Sequence, residues 1–366
     1  MRSLEDELRE AYRAVTDTVR EDELPGLYDQ RARIRHGRFT AFAPLAATAA
    51  VLIAIGVGFA VARLVSAPTR PATPVTLATP KATPPFMIIV NTPNAQRPLV
   101  VVSAATGRTT GTVAVPRQRT VWFDVAPTAS GTTFIVAATP LQGGLCNPTY
   151  LYTLTLSARG VPTSLRPWTV PVVPAEIGSL SASASGGTLA FDETQCRGPD
   201  QKIGIIRDGK MKTWQEPYPL FADDLSLSAD GSKLGYVEVK IPAQGGRVRV
   251  LDTGSAPGSA TAASTIVYTF PAAGRAPDVA IGADFTTMYV GWLTGSDTFH
   301  LAGYRIGAGG LQGRLFSQTM PGQVISLAGR QVLVWDPGVA LYLVDPVTGK
   351  ATWIRTAWKN AWGIFW

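Results

Sequence analysis

Three carboxylates, one histidine and two cysteines are the side chains of this sequence whose types and settings suit chemistry. Asp223-Asp224 and Asp278 stand where short apolar runs begin, at places that read as the starts of inner β-strands. Acids gathered there can hold a cation or a polar ligand; equally, they can accept hydrogen bonds from backbone at a junction between sheets. His300 falls on a predicted strand near Tyr304, and His36 lies inside a cluster of arginines. A catalytic base needs a group that orients it, and neither histidine has one recognisable in the sequence. There is no Gly-x-Ser-x-Gly elbow and no Walker loop. Gly307-Ala308-Gly309-Gly310 reads as a turn between strands, because no helix follows it. The aromatic group Trp353, Trp358, Trp362, Phe365 and Trp366 suits either sugar stacking or, more in keeping with its apolar setting, packing between sheets. Cys146 and Cys196 lack any metal-binding spacing. No cofactor, metal or catalytic residue is expected from these patterns.

The elements that position these residues fall into four stretches: 1–38, 39–65, 66–85 and 86–366. From Phe39 to Ala62 the chain runs 24 residues without a charge, long enough to cross a bilayer as a helix. Arg31, Arg33, Arg35 and Arg38 crowd its N-terminal flank, which places that flank in the cytoplasm and the C-terminal part outside. The polar leader is too long for a cleaved signal peptide, so the span reads as a permanent anchor over 39–65. Ala46, Ala50, Ala54, Gly58 and Ala62 recur every fourth residue. Such a stripe lets two spans approach closely as a homodimer, or follows by chance from an alanine-rich helix. Before the span, Ser3 to Leu24 reads as an amphipathic helix with Leu4, Leu8, Tyr12, Val15 and Val19 on one face. That face either docks on a cytoplasmic partner or marks no more than a short tail. After the span, Pro68, Pro71, Pro74, Pro80, Pro84 and Pro85 make 66–85 an extended, stiff linker.

The remainder reads as all-β. One hairpin pattern returns: a small residue, a turn of Gly, Asp or Ser, then an alternating apolar strand. Its copies begin at Ala129, Ala184, Ala229, Ala283 and Ala328, and the clearest is Ala229-Asp230-Gly231-Ser232-Lys233-Leu234. A second hairpin follows each copy, as at Ile205 to Lys210 and Tyr342 to Lys350. Four strands per repeat is a propeller blade. Five whole repeats fill about 119–357. Met87 to Pro116 supplies only the later strands of a blade, and Ala361 to Trp366 supplies one lone strand. Joined, these fragments complete a sixth blade and remove the open edge. The expected fold is therefore a six-bladed β-propeller of about 47 residues per blade, or seven blades if 142–178 hides an extra sheet. Prolines 116, 171, 219, 271 and 321 suit exits from outer strands.

The turn Ser226-Leu227-Ser228-Ala229-Asp230-Gly231 resembles the Ser-Pro-Asp-Gly turns of propellers in the TolB and prolyl-oligopeptidase group, and more loosely those of WD-repeat proteins. Alanine replaces the proline here, and Trp335-Asp336 does not fall in the WD register. The whole layout is similar to single-span propeller proteins of high-GC Gram-positive bacteria, some of them organised like membrane-bound anti-sigma factors. That resemblance comes without a zinc-binding His and Cys pattern. What it implies is a bacterial membrane regulator with a binding propeller outside.

Cys146 and Cys196 fall in matching loops of neighbouring blades, in an exported part where disulfides form, so a bridge between them is expected. The leader has eight basic and nine acidic residues, so of the chain's net charge of +7 the part beyond the leader carries +8. A basic exterior suits an anionic envelope component; its scattered lysines and arginines do not suggest nucleic acid. The expected function is non-enzymatic: the propeller binds a protein or envelope ligand outside, and residues 1–38 contact a partner inside. The alternative is a propeller enzyme acting on glycans or lactones.

Overall fold

The computed structural model describes residues 85–91, 96–141, 147–193, 201–240, 246–270, 278–293, 298–307, 310–320, 324–328, 331–336, 340–354 and 361–365. The amphipathic face of Leu4, Leu8, Tyr12, Val15 and Val19, the 39–65 span, the linker, and both cysteines lie outside the described residues. Among the described residues no helix is long and apolar enough to cross a membrane.

The strands form six sheets. The first blade holds β1 (Phe86–Asn91), β2 (Leu99–Ser103) and β3 (Thr109–Val113). The second holds β4 (Thr120–Pro127), β5 (Thr133–Pro140), β6 (Thr149–Leu156) and β7 (Pro162–Val173). The third is built from β8 (Ile177–Ala182), β9 (Thr188–Glu193), β10 (Gln201–Arg207) and β11 (Lys210–Glu216). In the fourth, β12 (Leu220–Leu227), β13 (Lys233–Lys240) and β14 (Gly246–Asp252) are followed by a short excursion. It contains β15 (Gly258–Ser259) and a single helical turn, α1 (Ala260–Ala263), before the outer strand β16 (Ser264–Thr269). The fifth holds β17 (Asp278–Ile281), β18 (Thr287–Leu293), β19 (Phe299–Gly307) and β20 (Gly310–Met320). The sixth holds β21 (Val324–Ala328), β22 (Gln331–Asp336), β23 (Ala340–Val344) and β24 (Ala351–Ile354).

The last strand, β25 (Ala361–Phe365), returns to the first sheet, whose order is β25-β1-β2-β3. Ile364 pairs with Ile89 and Phe365 with Ile88, antiparallel. The chain thus closes its own ring, and no extra sheet occurs in the described part of 142–178, which β6 and β7 fill.

The core lies between blades. Phe191, Leu189 and Ile206 of the third blade pack with Ile135, Ala137 and Leu151 of the second. Trp214 and Ile205 pack with Leu234, Tyr236 and Leu251 of the fourth. The closing blade is sealed the same way, with Ile364, Met87 and Ile89 against Leu333, Trp335 and Leu341. Each sheet is apolar on both faces near the axis because it has a neighbour on both sides.

The repeated turn explains the pattern seen in the sequence. In Ser228 to Lys233, Asp230 Oδ1 accepts from the Ser232 N–H at 2.9 Å and from Ser228 Oγ at 2.7 Å, while Gly231 takes φ 73°. Gly131 and Gly186 occupy the same left-handed position with φ 66° and 73°. In the fifth blade Phe285 fills it instead, with φ 57°.

Three features differ from the expectation. Asp223 and Asp224 sit in mid-strand at a bulge between Asp223 and Ser226, not at the start of β12. Strand β7 runs through Pro171 rather than ending before it: the pairing with β6 slips between Pro167 and Val172, and an edge strand accepts proline at such an irregularity. The third sheet has five strands, β15 adding in parallel to the outer edge of β11.

Candidate functional site

The inner strands bring the candidate acids to the axis of the ring. Counting back five residues from the alanine that opens each repeated turn gives Asp124, Asp224 and Asp278 in the second, fourth and fifth blades. All three do the same thing. Asp124 Oδ2 accepts the Leu180 N–H of the third blade at 2.8 Å. Asp224 Oδ2 accepts the Val279 N–H of the fifth blade at 2.9 Å. Asp278 accepts the Ile325 N–H of the sixth.

Two further rows lie beside this one. Ser181 Oγ accepts the Leu227 N–H at 2.8 Å and Ser226 Oγ accepts the Ile281 N–H at 3.3 Å, each across a blade junction. The turn alanines then link backbone to backbone: the Ala129 N–H donates to Ala184 O, Ala184 to Ala229 O and Ala229 to Ala283 O, each at 2.9 Å. A small side chain at this position allows the turns to approach so closely. These links run from the second blade to the sixth and give partners to the inner-strand groups they engage, as buried backbone requires.

Gln201 of β10 adds a fourth link. Its Nε2 donates to Ala222 O at 2.9 Å and its Oε1 accepts the Ala222 N–H at 2.6 Å, so a side-chain amide pairs with the inner strand of the next blade as a strand would. The same Nε2 reaches Asp192 Oδ2 at 2.9 Å. Asp192 also accepts the backbone N–H of Ser179.

Asp223 and Asp278 face each other closely enough to interact electrostatically. Asp278 keeps some solvent contact but is densely surrounded. Burial pushes its carboxyl well above the ordinary carboxylate range, the Asp223 charge pushes it further, and the Ile325 N–H opposes both. The pair favours a proton on Asp278. Among the described residues no group of three or more His, Cys, Asp or Glu is placed to hold a metal ion.

His300 lies away from these acids, on the third strand of the fifth blade. Its ring stacks on Trp292 at 5.3 Å between centroids, and its Nδ1 lies 3.2 Å from Thr319 Oγ1. Trp292, His300 and Thr319 are successive cross-strand partners, an arrangement of ring packing along a sheet. The aromatic group of the C-terminus is divided. Trp353 is 58% exposed on the outer strand β24, which corrects the expectation of packing for that residue. Phe365 is half-buried in β25. Trp358 and Trp366 lie outside the described residues, as does the side chain of Trp362.

A second polar cluster, absent from the sequence reading, is buried where the third and fourth blades meet. Glu216 is fully buried, its Oε1 accepting from Tyr236 OH at 2.7 Å and its Oε2 from Thr261 Oγ1 at 2.9 Å. Arg249 donates to Ser264 Oγ at 2.8 Å and to Thr261 O at 2.6 Å. Its Nη1 faces Glu238 Oε2 at 3.2 Å, an ion contact rather than an aligned hydrogen bond. Burial raises the Glu216 carboxyl, and the Glu238 charge adds to this; hydrogen bonds from Tyr236 and Thr261 pull it back. Tyr236 is pushed far above its ordinary value by burial and by Glu216. The cluster holds α1 and β15 against β11, with the Trp214 indole N–H donating to Ala256 O at 3.0 Å.

Neither a protein-family profile nor a curated protein matches the chain. Solved structures do. A nidogen–laminin complex aligns at TM-score 0.49 with 10% identity, over 76% of this chain and 97% of that one. An oligogalacturonate lyase in complex with manganese aligns at 0.46 with 15% identity, over 70% of each chain. A periplasmic gluconolactonase of Pseudomonas aeruginosa aligns at 0.42 with 14% identity, over 76% of this chain and 98% of that one. The six sheets and the pairing of β25 with β1 make this part of the chain a propeller.

Proposed function

We propose that this chain is a single-pass membrane protein of the cell envelope whose propeller lies outside and binds a protein or envelope ligand without converting it. Residues 1–38 contact a cytoplasmic partner, in the manner of a sensor or regulator. The observation that carries the binding reading is the use made of the inner-strand acids. Asp124, Asp224 and Asp278 each accept a backbone N–H of the following blade, so these three acids are engaged in holding one blade to the next. A ring held this way is a rigid scaffold, and on such scaffolds recognition belongs to the loops and rims. The tether is supported by the uncharged stretch from Phe39 to Ala62 and the arginines before it.

An enzyme acting on glycans or lactones is the rival reading. One observation favours it: Asp278 is biased towards its protonated form beside Asp223, as a general acid would be. The two readings separate in one set of assays on the full-length chain in mild detergent. With sugar lactones and acidic glycans as substrates, the binding reading expects no turnover. It also expects a cytoplasmic protein to be captured through the leader, and capture to be lost in Leu8→Asp or Val15→Asp. Turnover that disappears in Asp278→Asn overturns it.

A further inference from the structure

The outer hairpin of the third blade carries three cations on one face. Arg207 of β10 stands directly opposite Lys210 of β11, and Ile205 stands opposite Lys212. Strand alternation puts all four side chains on the same side of the sheet. Like charges directly opposite each other destabilise an antiparallel pair. Among the described residues, the ion pairs are Lys202–Glu193, Arg247–Glu238 and Arg249–Glu238, and none of them relieves this face.

The three cations, with Asp208, Thr253 and Gly254, line a cleft of about 230 Å³ at the junction with the fourth blade. Arg207 is held from both sides. Its Nε donates to Thr188 Oγ1 at 3.2 Å, and its Nη2 donates to Thr253 Oγ1 at 3.1 Å and to Gly231 O. Its Nη1 has no acceptor among the described residues. Lys212 Nζ reaches Gly254 O at 3.5 Å, while Lys210 is exposed. Asp208 is exposed at the hairpin tip with φ 51°, and on the opposite wall the exposed Asp252 accepts the Gly254 N–H at 2.8 Å.

We propose that this cleft binds a phosphate group, either as a free anion or as an ester of a larger molecule. Three cations against two carboxylates, one of them tied to the Gly254 N–H, leave a positive balance that favours a phosphate monoester, which carries about −1.5 to −2 near neutral pH. A fixed guanidinium flanked by flexible ammonium groups is the usual way to take such an oxyanion. The volume is below the roughly 300–1,000 Å³ of sites that enclose a drug-sized ligand, so one anionic group enters and the rest of the ligand stays outside. The inference rests on the reading of the propeller as a binding module, and it names the chemistry taken at one part of the rim.

The test titrates the full-length chain, at constant ionic strength, with inorganic phosphate and separately with poly(glycerol phosphate). Saturable binding of both probes identifies a free anion as sufficient; binding of the polymer alone identifies the ester. The double variant Lys210→Gln with Lys212→Gln should weaken binding about tenfold or more, and Arg108→Gln with Arg159→Gln on other blades should change it less than about twofold. Asp208→Asn, which suits the positive φ of that position, should tighten binding several-fold and guards against loss of fold as the cause. The proposal fails if neither probe saturates, or if the distant double variant weakens binding as much as the local one. In that event capture of a partner through residues 1–38 still upholds the binding module, whereas lactone or glycan turnover would remove that reading by itself.

Discussion

At the scale of single residues, the same side-chain types serve two ends. An aspartate at the axis of a propeller can meet a ligand or clasp a neighbour, and here Asp124 and Asp224 place an oxygen 2.8–2.9 Å from the backbone N–H of the next blade. Asp224→Ala leaves the Val279 N–H without its acceptor. We expect it to lower stability by about 1–3 kcal/mol, the usual effect of orphaning a buried donor, read from urea unfolding of the full chain. Asp230 behaves differently. Bonds from Ser232 and Ser228 hold its carboxyl down at about 2. A depressed carboxylate contributes stability above its ordinary pKa of about 3.9 and loses it as the pH falls through the folded value. Asp230→Ala should therefore flatten the decline of the melting temperature between about pH 4 and pH 2, relative to the parent chain. Gly204 marks close approach of a different kind. A Cβ there would meet the Phe191 ring at 2.1 Å, so Gly204→Ala should cost about 1–3 kcal/mol through overpacking, read from the same unfolding curves. The sequence made Asp223, Asp224 and Asp278 visible as acids near inner strands. It also held the signal for Asp124, since all three clasping aspartates stand five residues before a turn alanine. Sequence alone could not decide between ligand and clasp, because that depends on the register of one blade against the next.

At the scale of elements, hairpins were legible because their determinants are local. Gly131, Gly186 and Gly231 supply the left-handed turn, and the alternation of β5, β9 and β13 follows directly. The link formed by β15 and α1 was not legible. Two strand residues and one helical turn carry no periodicity, and what fixes them is remote: Glu216, Trp214 and Arg249 on other strands. Such a link can be tested through pH. Because burial raises the folded carboxyl of Glu216, the stability tied to that shift is present below the ordinary carboxylate range and is lost as the pH rises through the folded value. Glu216→Gln should reduce this loss, so the stability of the variant should fall less than that of the parent between about pH 4.5 and pH 7 in chemical unfolding. A variant with an unchanged slope would show that Glu216 is not the titrating group.

At the scale of the whole molecule, the organising feature is that the two ends of the propeller share one sheet. Five repeats and two fragments in the sequence imply a ring, and β25 beside β1 supplies its closure. Blade-to-blade contacts then form the core, and among the described residues the apolar clusters join neighbouring blades. Clasped inner strands and a sealed junction make the ring a fixed frame for whatever its rims recognise. The most direct test of this account is a pair of cysteines at Ile89 and Ile364, which are register partners in the closing sheet. Their Cα atoms lie within the range a disulfide accepts in an antiparallel pair. Ile89→Cys with Ile364→Cys should form an intramolecular bond in the folded full chain on mild oxidation, visible as a mobility shift that reduction reverses and as a higher melting temperature. Free thiols after oxidation, or bonds formed only between chains, would contradict the closed ring.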